Sequence, residues 1–273
     1  MSKIVAIVNQ KGGVGKTTTA VNLAAAVAAK GKKVLLADID PQGNATSGFG
    51  INKKSIPLST YDLLINNVSA EEIIVKIAYK NMWVLPANMN LAGAEVELVD
   101  LPKRESRLKL ALAPIDEQFD YIFLDCPPSL GIITLNALTA ADSVLVPIQC
   151  EYYALEGLSQ LMSTVRAVKR KYNEHLEMEG VLLTMYDGRL NLTAQVVEEV
   201  KNHFPKKVFT TAIPRNVRLS EAPSFGEPVR YYDKSSKGAL MYDQLASEFL
   251  RNNRKYEREK KRWQGQKADS ARA

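Results

Sequence analysis

The chain has 273 residues, of which 46% are hydrophobic and 24% charged, and its formal net charge is +6. This composition is typical of a globular protein and allows one large α/β domain or two smaller ones. No apolar run approaches the roughly 18 residues of a membrane-spanning helix. The chain has two cysteines, and their spacing suggests neither a disulfide framework nor a zinc site. We therefore expect reduced, intracellular thiols.

Apolar, β-rich segments alternate with segments of helical periodicity along the chain. Helices are predicted over 16–31, where Gly31 is the capping glycine, from a capping box at 59–62, and over 154–172. Several predicted strands are apolar on both faces, as a sheet covered on both sides requires. The alternation predicts an α/β fold with a doubly wound, mostly parallel sheet flanked by helices. The predicted strands are residues 3–9, 32–39, 81–87, 120–127, 143–150, 178–186 and 207–214.

The basic excess lies at the C-terminal end of the chain. Residues 251–273 contain nine Lys and Arg against three Asp and Glu, and the rest of the chain is balanced. We therefore predict one domain over residues 1–250 and a basic tail over 251–273, frayed or disordered and solvated. The alternative for the tail is a basic arm that binds nucleic acid or an anionic membrane.

The segment NQKGGVGKTT (9–18) follows the first predicted strand and begins a helix, which is the context of a phosphate-binding loop. Its three glycines allow backbone N–H groups to point at phosphate oxygens, and the helix N-terminus adds positive potential. We predict that Lys16 reaches the β- and γ-phosphates. Thr17 would hold Mg²⁺, and Thr18 would bond the α-phosphate. The predicted nucleotide-binding residues of the loop are Lys11, Gly12, Gly13, Val14, Gly15, Lys16, Thr17 and Thr18.

Three carboxylates follow predicted strands. Asp38 and Asp40 end the second strand and face the same side of it, and Asp125 ends the buried run YIFLD. Ligands of open α/β sheets bind at the carboxyl ends of the strands, which favours a site over an ordinary strand-end turn. We predict that Asp38 supports Mg²⁺ through water and that Asp125 binds it directly or through water.

The loop departs from the usual phosphate-loop pattern, because Gln10 replaces a glycine and Lys11 is an additional lysine. With this change KGGVGKTT resembles the deviant Walker A loop of the ParA/MinD family of ATPases. The segments DIDPQGNATSG, LDCPPSLG, QCEYYALEGLSQL and IPRNVRLSEAPS are most similar to chromosomal ParA proteins of the Soj type. The resemblance covers residues 4 to about 249.

The resemblance implies ATP and Mg²⁺ as cofactors and three catalytic residues. Lys11 would reach the partner's phosphates across an ATP-bound homodimer, although a contact to its own nucleotide is the open alternative. Lys16 would bind the protomer's own nucleotide. Asp40 would position the attacking water, and its short side chain predicts slow basal hydrolysis. Met185, Pro214 and Arg215 would lie beside the adenine.

The resemblance also implies sequence-independent binding of double-stranded DNA, a ParB-type partner that stimulates hydrolysis, and a cytoplasmic, nucleoid-associated location. Each predicted DNA contact is a basic side chain that on its own is more often a solvated surface charge. The predicted DNA-binding residues are Arg189, Arg218, Lys201, Lys206 and Lys207.

Two other functions use the same loop. A MinD-like ATPase positions itself on membrane through an amphipathic helix. From residue 253 onward this chain has no continuous apolar face, so we expect no stable membrane binding. A biosynthetic enzyme of the dethiobiotin synthetase type would instead turn over an organic co-substrate.

Overall fold

The computed structural model describes residues 1–151 and 154–260, with the main chain alone at positions 154 and 156. Its described strands form one sheet in the order β3-β4-β2-β5-β1-β6-β7. All neighbouring strands are parallel except β3, which runs antiparallel to β4. The strands are β1 (Lys3–Ile7), β2 (Val34–Asp38), β3 (Val75–Lys76), β4 (Met82–Leu85), β5 (Tyr121–Asp125), β6 (Ser143–Gln149) and β7 (Glu177–Thr184).

Helices cover both faces of this sheet. The α-helices are α1 (Lys16–Ala29), α2 (Asn44–Gly48), α3 (Thr60–Leu64), α4 (Ala70–Ile73), α5 (Ala94–Glu97), α6 (Arg107–Leu112), α7 (Ile132–Ala140), α8 (Ala154–Lys171), α9 (Asn191–His203), α10 (Val217–Glu221), α11 (Val229–Tyr232) and α12 (Lys237–Asn252). Short 3₁₀ turns cover Met89–Gly93, Leu98–Asp100, Ala113–Ile115 and Ala222–Phe225. In the described chain, no helix combines the length and hydropathy needed to cross a membrane.

Two buried apolar clusters lie on opposite faces of the sheet. One contains Val5 and Ile7 of β1 together with residues of α1 and α12. The other contains Ala6 of the same strand together with residues of α7 and α8. This alternation follows from the period of two in a strand, and it requires strands that are apolar on both faces. The predicted doubly wound α/β fold is confirmed.

The register of the central strands places the carboxyl ends of β1, β2 and β5 at one level. Asp125 is paired with Ile7 of β1 on one side and with Asp38 of β2 on the other. Adjacent strands lie about 4.8 Å apart, so the two aspartates are neighbours at the edge from which the phosphate loop begins.

The segment 207–214 is not a strand, contrary to the sequence prediction. It forms only two isolated bridges, Val181 with Val208 and Tyr186 with Pro214. Between the bridges the carboxylate of Glu248 in α12 accepts hydrogen bonds from the backbone N–H groups of Thr210, at 2.7 Å, and Thr211, at 2.9 Å. A buried side chain therefore takes the donors that a continuous ladder would use. The short strand β3 was not predicted.

The first part of the predicted tail is ordered. Residues 254–260 are helical and pack on the amino end of the sheet. Tyr256 donates to the carbonyl of Met1 at 3.0 Å, Glu257 accepts from Lys32 at 2.7 Å, and Lys260 contacts Asp120 at 2.9 Å. The expectation of a frayed segment is therefore wrong for 251–260, because side-chain contacts fix it. Residues 261–273 lie outside the described residues.

We predict that Tyr256→Ala lowers the free energy of unfolding by about 1–3 kcal/mol, because it removes a hydrogen bond and a partly buried ring beside Tyr121. Lys255→Ala is the matched control, since that side chain is 91% exposed, and its effect should stay within about 0.5 kcal/mol. Urea denaturation of both variants measures the difference. Equal midpoints for the two variants would show that the segment does not stabilise the domain.

Candidate active site

The loop between β1 and α1 has the conformation of a phosphate cradle. Gly13 has φ of 74° and Gly15 has φ of 86°, in the left-handed region where a side chain is strained. Among the described residues, no side chain caps the N-terminus of α1 at Gly15. The backbone N–H groups of the first turn are therefore free to bind an anion, and the helix dipole favours negative charge there.

The two lysines of the loop point in different directions. Lys16 is buried, and its Nζ donates to the carbonyl of Lys11 at 2.9 Å. Burial lowers the pKa of Lys16, and the charges of Asp125 and Asp40 oppose that shift. Lys11 instead extends to Glu151, 2.6 Å away, and its side chain is 37% exposed. Only Lys16 is thus placed inside the loop.

Asp38 is a fully buried carboxylate held by α2. One of its oxygens accepts from both the backbone N–H and the hydroxyl of Thr46, each at 2.7 Å. Burial raises the pKa of Asp38 to about 6, and the bonds from Thr46 limit the shift. Because Thr46 already occupies this oxygen, the arrangement suits the predicted contact to a cation through water.

Asp125 is the carboxylate that best fits a cation. It is fully buried, and neither carboxylate oxygen has a hydrogen bond of normal geometry in the described chain. Burial and the neighbouring Asp38 raise the pKa of Asp125 well above its usual range, while the nearby Thr17 hydroxyl and Lys16 act in the opposite direction. A divalent cation beside Asp125 would remove this unfavourable charge.

The residues present fit Mg²⁺ bound together with nucleotide. The described residues contain no cluster of three or more His, Cys, Asp or Glu that could hold a metal by themselves. Mg²⁺ is usually held by one or two protein oxygens, substrate phosphates and water. Thr17 and Asp125 would supply the protein oxygens, with Asp38 behind them.

Asp40 lies two residues after Asp38 and is 7% exposed. Its backbone N–H donates to Asp38 at 3.2 Å, and its Oδ1 accepts from the N–H of Gln42 at 2.9 Å. These hydrogen bonds fix the Asp40 carboxylate through its Oδ1. Among the described residues, its second oxygen has no protein hydrogen bond. That geometry is suitable for orienting a water molecule.

A cleft of about 480 Å³, which we call the base cleft, continues from the loop toward the end of β7. It brings together the three residues predicted to border adenine, which come from two distant parts of the sequence. Met185 adopts φ of 49°, so the chain turns sharply at the end of β7. The cleft is lined by Gly15, Thr18, Thr184, Met185, Ile213, Pro214, Arg215, Asn216, Val217, Leu219, Ser220, Pro223 and Tyr242.

Thr184 is a site residue that sequence reasoning missed. Its buried hydroxyl lies 2.8 Å from the carbonyl of Val14 and 3.0 Å from that of Ile148, and it can donate to one of them at a time. It therefore ties the phosphate loop to β6 and β7. No local motif marks it, because the partners are distant in sequence and meet only through the order of the strands.

The five predicted DNA contacts fall into two groups. Arg189 and Arg218 follow the carboxyl end of β7 and the base cleft, and each is paired with an acid, at 2.6 Å to Asp187 and 2.7 Å to Glu221. The other three lie at the end of α9 or after it, at the amino end of β7. Since α9 has 13 residues and spans about 20 Å, the groups do not form one cluster. The second group is Lys201, Lys206 and Lys207.

Comparison with known proteins identifies the family. Residues 2–178 match the AAA domain family. Sporulation initiation inhibitor protein Soj of Bacillus subtilis is 59% identical over 252 residues, which cover 92% of this chain and 100% of the relative. Chromosome partitioning protein ParA of Myxococcus xanthus is 54% identical over 253 residues, or 93% of this chain and 89% of the relative. The chain belongs to the Soj/ParA family of ATPases.

A solved structure supports the same assignment for the fold. The Mycobacterium smegmatis protein described as cobyrinic acid a,c-diamide synthase, with a bound ATP analogue and magnesium, is 39% identical and has a TM-score of 0.81. The match covers 92% of this chain and 95% of that one. The predicted Soj/ParA architecture and P-loop fold are confirmed.

We predict that Asp125→Asn weakens the effect of Mg²⁺ on nucleotide binding. In the Soj/ParA chain without nucleotide, the substitution removes a buried charge, so the thermal midpoint should stay equal or rise. With ADP, adding Mg²⁺ should raise the midpoint of the parent chain but raise that of the variant much less, because ligand binding stabilises by mass action. Thermal unfolding with ADP in Mg²⁺ and in EDTA gives both values.

Asp142→Asn serves as the control for this measurement. Asp142 is an exposed aspartate whose carboxylate accepts from the N–H of Ile4 at the opposite end of the sheet. Its Mg²⁺ response should equal that of the parent chain. An undiminished Mg²⁺ response in Asp125→Asn would exclude this carboxylate as the metal ligand.

Proposed function

We propose that this chain is a DNA-partitioning ATPase that binds ATP and Mg²⁺, closes into a homodimer and then binds double-stranded DNA without sequence preference. The observation that supports it best is the different placement of the two loop lysines. Lys16 is buried inside the loop, and Lys11 is directed out of it. The family relatives named for chromosome partitioning support the same function.

The role of Lys11 follows from charge. A triphosphate with one Mg²⁺ keeps negative charge on the side that faces out of the loop. A cation from a second protomer would neutralise it and stabilise the transferring γ-phosphoryl group. Reaching a partner would require Lys11 to leave Glu151. Both side chains are well exposed, so breaking this ion pair costs little.

Hydrolysis breaks the bond between the γ-phosphorus and the bridging oxygen, as water adds to that phosphorus. Asp40 would hold the attacking water, Lys16 would bind the β- and γ-phosphates, and the N–H groups at the start of α1 would hold the phosphate oxygens. Mg²⁺, when bound, neutralises charge on the phosphates. A short carboxylate fixed by its own turn is consistent with slow basal turnover.

Dimerisation explains how ATP would control DNA binding. A closed dimer presents twice as many basic side chains to the phosphate backbone of DNA as one protomer does. Each neutralised phosphate makes the DNA affinity fall more steeply with salt. A ParB-type protein bound at centromere-like sites would stimulate hydrolysis and so release the dimer. The chain would accordingly be found on the nucleoid.

We expect Lys11→Ala to abolish ATP-dependent dimerisation and to reduce DNA retention to the level without ATP. Analytical ultracentrifugation and a filter-binding assay with duplex DNA measure the two effects. The matched variant is Glu151→Gln, which removes the same ion pair but keeps the lysine, and it should still dimerise. Retention of both activities in Lys11→Ala would rule out the contact across the dimer.

We expect Asp40→Ala to lower the rate of ATP hydrolysis by about 10²-fold or more, because no other group among the site residues positions the water. ATP binding should persist, so the variant should remain on DNA as a dimer. Phosphate release and DNA retention are measured side by side. A variant that hydrolyses ATP at the parental rate would contradict the assigned role.

The two other functions of the loop have distinct tests. ATP-dependent flotation with anionic liposomes would indicate a MinD-like function instead. Turnover of an organic co-substrate, without stimulation by DNA and a ParB-type protein, would indicate a biosynthetic enzyme.

A further inference from the structure

A second cleft, which we call the basic cleft, lies beside the base cleft. Its volume is about 540 Å³, and it is open to solvent between the end of β7, the segment before α10 and the start of α12. It is lined by Tyr186, Asp187, Gly188, Arg189, Ala212, Pro214, Arg215, Lys237 and Met241. Three of these residues are cationic and one is anionic, so the cleft carries a net charge of about +2.

The cations of the basic cleft differ in what they contact. Asp187 binds the guanidinium of Arg189 through two hydrogen bonds, of 2.8 and 2.6 Å. Those bonds lower the pKa of Asp187 to about 2, so the acid stays ionised. Within the described chain, the exposed side chains of Arg215 and Lys237 have no hydrogen bond and no ion pair within 4.0 Å. Two exposed cations without a direct partner among the described residues therefore line the cleft, and the charge of Lys237 is the smallest of the causes that lower the pKa of Asp187.

The basic cleft shares a wall with the base cleft. Pro214 and Arg215 line both, and the N–H of Tyr186 donates to the carbonyl of Ile213 at 2.9 Å, which fixes this wall to the end of β7. A group that occupies the base cleft therefore contacts the same segment that presents Arg215 to the basic cleft.

We propose that the basic cleft holds a backbone phosphate of bound DNA, with Lys237 as its central cation and Asp187 as an internal competitor for Arg189. Phosphodiester groups are recognised by clustered Lys and Arg side chains and need no base contact. The inference rests on the proposed DNA-binding function. It adds Lys237, which the sequence motifs do not mark, and it assigns an inhibitory role to Asp187.

The competition is feasible because the Asp187–Arg189 pair is weak. The Arg189 side chain is 88% exposed, and ion pairs at such positions stabilise by little. A phosphate oxygen can replace the carboxylate at small cost. Until it does, Asp187 reduces the positive potential of the basic cleft and so limits the affinity for DNA.

The experiment measures the salt dependence of DNA binding by the full chain with ATP and Mg²⁺, using fluorescence anisotropy of a duplex of random sequence. Loss of one phosphate contact lowers the slope of log affinity against log salt by about 0.9. We expect this decrease for Lys237→Gln, with affinity reduced about three- to tenfold near 0.1 M salt. Lys237→Arg should restore both values.

Two further variants separate this cleft from a general effect of charge. Lys30→Gln removes an exposed lysine after α1, at the opposite end of the sheet, and should leave the slope unchanged. Asp187→Asn can still accept from the backbone N–H of Arg189 but releases its guanidinium. It should raise DNA affinity about three- to tenfold.

The outcomes are distinguishable. If the parent chain shows no ATP-dependent DNA binding, the proposed function fails. If the parent chain binds DNA but Lys237→Gln has the slope of Lys30→Gln, the basic cleft does not hold a phosphate. If Asp187→Asn binds DNA no more tightly than the parent chain, the competitor role of Asp187 is wrong. Thermal midpoints of all variants show whether each is folded.

Discussion

The active site depends on two buried carboxylates placed side by side at the carboxyl ends of adjacent strands. Asp38 and Asp125 are paired in the register of β2 and β5. Burial raises the pKa of both, and repulsion from Asp38 raises the pKa of Asp125 further. Lys16 is buried against the same group of charges and opposes them. Such a cluster is unfavourable in the protein alone, and a bound cation and phosphates would make it favourable.

The same edge of the sheet connects the nucleotide to the surface. Thr184 joins the end of β7 to the phosphate loop, and the next residues form the wall shared by the two clefts. Arg189 follows five residues after Thr184. Six consecutive residues, 184–189, therefore link the phosphate loop to the proposed DNA contacts, which gives a structural basis for the proposed control of DNA binding by ATP.

The loop, the three carboxylates at strand ends and the mostly parallel sheet could be predicted because they depend on local pattern. Glycine in the left-handed region, a lysine at the start of a helix and an acid at the end of an apolar run are all visible in a short window. The predictions that were wrong concern segments whose structure depends on residues distant in the sequence. Segment 207–214 reads as a strand, but Glu248 takes its backbone donors. Residues 254–260 read as a solvated tail, but Tyr256 and Lys260 bind the body of the domain.

The sequence by itself determined the α/β architecture and the residues of the predicted phosphate loop, because hydrophobic periodicity and loop chemistry are encoded over a few residues. Only the tertiary structure decided which carboxylate lacks partners, which lysine points out of the loop, and which cations share a cleft. Those properties depend on burial and on contacts between residues far apart in the chain. Asp125 and Asp38 look alike in sequence, but Thr46 and the backbone N–H of Asp40 donate hydrogen bonds to Asp38, and neither oxygen of Asp125 accepts a comparable bond in the described chain.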